Sequence, residues 1–285
     1  MKKLGIITNF LKDGDFIYTN QVLSLCEKYG IEAKRLERYR KDNGCYAVIM
    51  EKFDPEIEAV IVLGGDGTLL RVARDLKYLD LPLLGINLGH LGYLTEVEVS
   101  GMEEAIKNIA EDNFYVEERM MLRGIPLQDP AEEEKQHVAM NDIILNRVGQ
   151  VRLITIDLYV NGQLLHKYQA DGLIFSTPTG STAYNLSAGG PIIEPTTTMI
   201  VVTPVCSHQL DIRSIVLSGD DVLEARVSPD SCQGESDKVG VTLDGDVLCS
   251  LAGNERIRIE RAKQTAKLIR FREMSFLDTL HQKMK

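Results

Sequence analysis

The sequence contains no tryptophan and only 6% aromatic residues. Neither scarcity points to a function. No apolar run approaches the roughly 20 residues that a membrane-spanning helix needs. There is no low-complexity tract and no repeat of fixed period, so a repeat architecture is excluded. Positive charge is in short supply: 32 Lys and Arg stand against 42 Asp and Glu, a formal net charge of −10. That balance argues against a broad basic face for nucleic acid or an anionic membrane. It leaves room for an anionic small molecule held by a few local positive groups. Cysteine is also sparse. The five are Cys26, Cys45, Cys206, Cys232 and Cys249, none at metal-ligand spacing from another. An odd number, in a chain too long to need staples, reads as reduced thiols in a cytoplasmic protein. The opening "MKKLGIITNF" reads as a first strand rather than a secretory signal.

What is present is an ordinary globular composition: 285 residues, 44% hydrophobic and 26% charged. The length suggests two domains. Residues 1–100 alternate strand-like and helix-like segments. "LGIITNF", "IEAKRLE", "EAVIVLG" and "LPLLGIN" are expected strands, and residues 15–29 and Thr68–Lys77 expected helices. "CYAVIMEKF" is expected to form a short helix before Pro55. Short apolar strands separated by helices imply a parallel sheet covered on both faces. In such sheets ligands lie beyond the C-terminal ends of the strands, where "GGDG" and "NLGHLGYL" fall.

Residues 101–265 start with a connecting helix in "SGMEEAIKNIAEDN" and then change texture. In "LITIDLYVNGQLLHKY", Ile154, Ile156, Leu158 and Val160 point one way and Asn161-Gly162 makes a hairpin turn. Further strands are expected at 138–145, 171–176, 199–204, 222–228, 239–243 and 256–260, giving a mostly β domain. "DPAEEEKQH" and "SPDSCQGESDK" read as exposed hairpin tips. Residues 266–285 are expected to carry a short helix begun by Ser275 and to return to the first domain.

Three stretches carry chemistry. In "GGDG", Gly64, Gly65 and Gly67 allow backbone angles closed to other residues and bring bare N–H groups to a ligand. Together with the following helix N-terminus they suit a phosphate. Asp66 would repel one, unless a hydroxyl or a metal ion must be held beside it. The competing reading is a tight strand-to-helix turn with Asp66 as the cap. The second stretch, "ADGLIFSTPTGSTAYNLSAGGPI", mixes hydroxyls and glycines with Tyr184 and Leu186, which read as buried. It suits the ribose and base edges of a nucleotide better than a solvated loop. The third is the pair Asn141-Asp142, an amide beside a carboxylate, able to grip a vicinal diol or simply to form a turn.

"GGDGTLLRVAR", "GINLGHLGYL", "MNDIILNR", the run from Asp171 to Ile192 and "TPVCSHQL" occur in the order seen in bacterial NAD kinases, which the chain resembles over nearly its whole length. The resemblance implies the NAD kinase/diacylglycerol kinase-like fold: an α/β N-terminal domain with a parallel sheet, a mostly β C-terminal domain and a site in the cleft. It implies phosphoryl transfer from ATP, or polyphosphate in some members, to the adenosine 2′-hydroxyl of NAD. It also implies a homo-oligomer, dimer or tetramer. Carried over by motif, Asp66 matches the catalytic aspartate and Gly67 its neighbour at the dinucleotide. Arg71 matches a position facing the phosphates. Asn141 and Asp142 match an NAD-contacting pair, and Arg152 another contact. Asp171 and Thr182, Ala183, Tyr184, Asn185, Leu186 and Ser187 match the nucleotide-holding segment, with Cys206 and Asp246 as further lining positions. Two residues depart from the pattern: Asp142 stands where many relatives have glutamate, and Gln169 where many have arginine.

Such a transfer depends on positioning and charge neutralisation. Asp66 would align the 2′-oxygen and take its proton late. Mg²⁺ would accompany ATP, in a shell of phosphate and water, with no protein metal site. Arg71 and Arg152 are candidates to neutralise phosphate, Lys167 reads as a surface charge, and His90 and His208 read as structural hydrogen-bonding groups. The alternatives are a lipid kinase sharing the glycine turn and a non-catalytic dinucleotide sensor.

Overall fold

The computed structural model describes residues 1–40, 46–89, 92–148, 153–209, 211–231, 238–271 and 276–283. The chain divides into two compact units, Met1–Glu118 with Thr265–Lys285, and Arg119–Gln264.

In the first unit, strands Glu32–Arg35, Lys3–Thr8, Ala59–Gly64 and Leu83–Asn87 lie side by side in that order, all parallel. The end of the long strand Arg256–Arg270 continues the sheet, pairing Leu268 with Leu83. Every residue of Ala59–Gly64 is buried, which is why it reads as an unbroken apolar run rather than an alternating one. Helices Ile17–Lys28 and Met102–Ala110 place Val22, Cys26, Met102, Ala105, Ile106 and Ile109 in the core beside the strands. Gly30 ends the first helix at φ 74°, a left-handed angle that glycine adopts without strain. "CYAVIMEKF" does not form the expected helix. Tyr46–Val48 is a strand paired with Arg38–Arg40, followed by a single 3-10 turn at Met50–Lys52. β-branched and aromatic residues in a short segment favour extension once a partner strand is present.

The second unit is antiparallel. One sheet orders Gln163–Ala170, Ile154–Val160, Leu223–Val227 and the first part of Arg256–Arg270. The other orders Ile215–Ser218, Met199–Val205, Gly172–Ser176, Asp142–Arg147, Val239–Leu243 and Asp246–Leu251. Side chains from strands of both sheets, among them Ile156, Leu158, Leu173, Phe175 and Val202, form one core cluster. Asn161 and Gly162 both take positive φ, 50° and 81°, in the expected hairpin. Strands Tyr115–Pro126, Ile215–Ser218 and Asp246–Leu251 were not foreseen. In the first, Glu, Arg and Met blur the period-two pattern, yet Arg119–Leu122 are buried. The exposed turn around Pro130–Glu132 joins two antiparallel strands, as a hairpin tip does. Most of "SPDSCQGESDK" lies outside the described residues. The final helix is Phe276–Lys283; Ser275 lies outside the described residues.

One buried cation ties the first unit together. Arg270 Nη1 donates to the Leu94 carbonyl at 3.0 Å and to Glu96 at 2.6 Å, and its Nε to Glu117 at 2.9 Å. The Phe271 amide adds a bond to Glu96 at 3.0 Å. Removing one partner of such a group strands the others without solvent. Arg270→Met is therefore expected to destabilise the protein by about 3–5 kcal/mol. Urea unfolding with an unchanged midpoint would show that the cluster is energetically idle.

Candidate active site

Three loops of the first unit leave the C-terminal edge of the parallel strands. They follow Thr8, Gly64 and Asn87, and they are cross-linked. The Asn9 amide donates to the Leu63 carbonyl at 2.8 Å, and Asn9 Nδ2 to Thr68 Oγ1 at 3.0 Å. The Leu88 amide donates to the Gly64 carbonyl at 2.8 Å. A helix runs from Asp66 to Asp75, with Gly65 at its cap position and no side chain closing its first turn. The cap reading of Asp66 is thereby replaced, since Asp66 is the first helical residue.

The Asp66 carboxylate turns to the third loop. Oδ2 accepts from the Tyr93 amide at 2.7 Å, and Oδ1 from the Thr95 amide and hydroxyl, both at 3.1 Å. Thr95 Oγ1 in turn accepts from Asn87 Nδ2 at 3.1 Å and the Gly92 amide at 3.2 Å. A carboxylate has about four acceptor sites. Three are filled here, and the remaining one is on Oδ2. A Cβ at Gly92 would fall 1.8 Å from Asp66 Oδ1, so only glycine leaves room for the carboxylate. A Cβ at Gly64 would meet Thr68 at 2.6 Å, while one at Gly67 would meet nothing within 4 Å. None of Gly64, Gly65 and Gly67 has positive φ, contrary to expectation. Gly64 serves close packing, and Gly67 leaves the exposed face of the helix start bare.

In the second unit the Asn141-Asp142 turn is wedged between two elements. On one side Asp244, in a left-handed turn with Gly245, accepts the amides of Met140, Asn141 and Asp142 at 2.9, 2.8 and 3.1 Å. On the other the Thr177 amide donates to the Asn141 carbonyl at 2.8 Å and Thr177 Oγ1 to the Met140 carbonyl at 2.6 Å. A Cβ at Gly180 would lie 2.1 Å from the Asn141 oxygen. Buried Arg119 reaches Thr179 Oγ1 at 3.2 Å. The loop 177–187 is held from within by Asn185, fully buried. Its Nδ2 donates to the carbonyls of Ser181 and Pro191 at 3.1 and 3.0 Å, and its Oδ1 accepts Thr203 Oγ1 at 2.6 Å. The Asn185 side chain is thus spent on the loop itself. Tyr184 and Leu186 are 45% and 40% exposed, not buried as expected. Their positions on one short turn, Tyr184–Ser187, present Tyr184, Leu186 and Ser187 to solvent.

The remaining residues are spread over both units. Asp171 pairs with Arg147 at 2.8 Å. Cys206 is exposed with φ 48°, and Asp246 opens a strand opposite Leu243. Lys167 and Gln169 are exposed on the strand Gln163–Ala170, and His208 bonds Gln169 through its amide at 3.2 Å. Arg71 is exposed on the helix Asp66–Asp75. Arg152 and His90 lie outside the described residues. Sequence reasoning missed Thr95, Arg119 and Asp244. For Asp244 a signal existed: Asp-Gly between two alternating segments is a hairpin tip, the rule already applied to Asn161-Gly162.

A glycine turn with a carboxylate at a parallel-sheet edge in the first unit, and a hydroxyl-rich loop in the second, suit the binding of a phosphorylated nucleotide. Residues 5–114 match the ATP-NAD kinase N-terminal domain and residues 140–271 the ATP-NAD kinase C-terminal domain. An NAD kinase of Agathobacter rectalis is 40% identical over 285 residues, covering 100% of this chain and 99% of that one. An NAD kinase of Lachnoclostridium phytofermentans is 39% identical, covering 99% of both. The chain belongs to the NAD kinase family. Its fold is shared by an NAD kinase from Archaeoglobus fulgidus solved in complex with ATP, at TM-score 0.76 and 22% identity over 99% of this chain and 98% of that one. It is shared too by a yeast NADH kinase solved with NADH, at TM-score 0.78 and 19% identity over 99% and 86%. These comparisons lend no support to the lipid-kinase or sensor readings.

Asp142 is 5% exposed. Burial, with the Asp244 carboxylate nearby, pushes its carboxyl up from 3.8 to about 7. The folded protein therefore holds this proton across a window in which the unfolded chain has lost it. Stability from this group is present below 3.8 and falls as pH rises through about 7. Asp142→Asn cannot ionise, so it is expected to flatten the pH dependence, by on the order of 2–4 kcal/mol between about pH 4 and pH 8. Denaturant midpoints of wild type and variant that run parallel across that range would contradict this.

Proposed function

We propose that the protein transfers the terminal phosphoryl group of ATP to the adenosine 2′-hydroxyl of NAD, giving NADP and ADP. The observation that carries this reading is the Asp66 carboxylate, fixed by Tyr93 and Thr95 with one acceptor site open on Oδ2. The 2′-oxygen forms a bond to the phosphorus as the bond to the ADP oxygen breaks. The hydroxyl proton passes to Asp66. A carboxylate is too weak a base to deprotonate a ribose hydroxyl in advance, so the proton moves late, as the forming bond acidifies it. In the second unit Asn141, Asp142, Asp171 and the exposed side of Thr182–Ser187 hold the dinucleotide. Cys206 and Asp246 line it. Asn185 keeps the loop in shape rather than touching the ligand.

Among the described residues no three His, Cys, Asp or Glu side chains are grouped to hold a metal ion. In this reading Mg²⁺ enters as the complex of the donor triphosphate, with phosphate and water as its ligands. No helix among the described residues is long and apolar enough to cross a membrane. The free thiols of Cys26, Cys206 and Cys249 suit a reducing compartment, the cytoplasm.

We also propose a homo-oligomer, a dimer or tetramer. Apolar side chains stand exposed on outer strands of the second unit: Leu164 at 53%, Leu165 at 38% and Val247 at 79%. Unpaired edges of this kind call for cover.

Incubation with NAD, ATP and magnesium is expected to yield NADP. Asp66→Asn keeps the size and one acceptor but loses the charge. Its turnover is expected to fall roughly 10²–10⁴-fold while NAD binding holds. A folded variant with wild-type turnover would leave Asp66 only as a loop anchor. Light scattering is expected to give at least twice the 31.8 kDa chain mass at micromolar concentration, and a monomer would refute the assembly.

A further inference from the structure

Phosphoryl donors bring several negative charges to a turn where Asp66 already adds one. Arg71 is exposed on the helix that starts there, and the glycine turn itself carries no basic residue. A cation arrives from another part of the chain. The loop after the first strand is tied down on both sides of Lys12. Upstream, Asn9 is bonded to Leu63 and to Thr68, and its carbonyl accepts the amides of Lys12 and Asp13, both at 3.0 Å. Downstream, the buried Asp13 carboxylate accepts the Tyr18 amide at 3.1 Å and the Thr19 amide and hydroxyl at 2.9 and 2.7 Å. Lys12 thus rises from a short fixed bridge.

Its ammonium stands over two glycine turns at once. A Cβ at Gly65 would lie 3.3 Å from Lys12 Nζ, and a Cβ at Gly89 3.2 Å. Neither glycine has positive φ, so neither is required by its backbone angles. What they leave is uncovered backbone beneath a cation. Gly65 is also the uncapped start of the helix Asp66–Asp75. Among the described residues no carboxylate pairs with Lys12, so its charge is available to a ligand. An ammonium close to the N–H groups of a helix start suits a phosphate chain.

We propose that Lys12 is a further binding residue for the reaction, contacting the polyphosphate chain of the donor beside Asp66. This rests on the kinase reading above. In the transfer it offsets the charge that builds on the phosphates as the bond to the leaving oxygen breaks. The side chain belongs to the donor rather than to the dinucleotide.

The test uses the full-length protein with Lys12→Met, which keeps the stem and loses the charge, and Lys12→Arg. Calorimetric titration with inorganic tripolyphosphate is expected to show about 10–100-fold weaker binding by Lys12→Met. The KM for ATP should rise by a similar factor, NAD affinity should stay within about twofold, and Lys12→Arg should recover most of the loss. An unchanged thermal midpoint excludes a folding defect as the cause. Unchanged tripolyphosphate affinity and ATP KM would overturn the proposal. So would a loss confined to NAD, which would move the lysine to the acceptor. Wild-type protein that binds tripolyphosphate through Lys12 but forms no NADP would sink the kinase reading and leave the phosphate contact standing.

Discussion

The Asp66 carboxylate sits on three N–H and O–H donors from the loop after Asn87. A charged oxygen at a solvent-facing turn would otherwise swing with its side-chain torsions. Fixing it requires a loop that arrives at the right height, which Gly92 permits by having no side chain. It requires the far end of that loop to be fastened, which Arg270 does through Leu94 and Glu96. The helix begins at Asp66, and the bare Gly64 leaves room for Thr68 in its first turn. The parallel sheet supplies the level platform on which these loops meet. The fold of the first unit can be read outward from this one group.

The second unit solves a different problem by the same means. The residues proposed to hold the dinucleotide are backbone turns and short polar side chains, which are precise only if their own hydrogen bonds are complete. Asp244 satisfies three consecutive amides, and Asn185 satisfies a loop that would otherwise carry buried orphan carbonyls. Such residues touch no reacting atom, yet they determine where Asn141 and the Thr182–Ser187 turn can be.

Much of this was legible beforehand. The central strands of the first unit, such as Ala59–Gly64 and Leu83–Asn87, announce themselves as continuous apolar runs, and Asn161-Gly162 fixes a hairpin by turn chemistry alone. The motifs at Asp66, Asn141 and Thr182–Ser187 fall on loops that the structure ties down with side-chain hydrogen bonds. What stayed hidden depends on partners distant in sequence. Tyr46–Val48 looks helical until Arg38–Arg40 lies beside it. Tyr115–Pro126 carries helix-forming residues that only a sheet neighbour overrules. Asp66 resembled a helix cap because its true partners, Tyr93 and Thr95, are 27 and 29 positions away. Tyr184 and Leu186 were judged by residue type, but the loop's interior is filled by Asn185, an amide that no hydrophobicity scale would place there.

The first unit is assembled from two separated stretches of chain, Met1–Glu118 and Thr265–Lys285, with the whole second unit written between them. During synthesis the glycine turn and its helix emerge before the second unit, but the arginine that fastens their neighbouring loop emerges only after it. A nascent chain can therefore complete the second unit while the first still waits for its closing strand. The loop that holds Asp66 gains its Arg270 fastening only after the whole second unit has been made, so a product cut short before that residue lacks it.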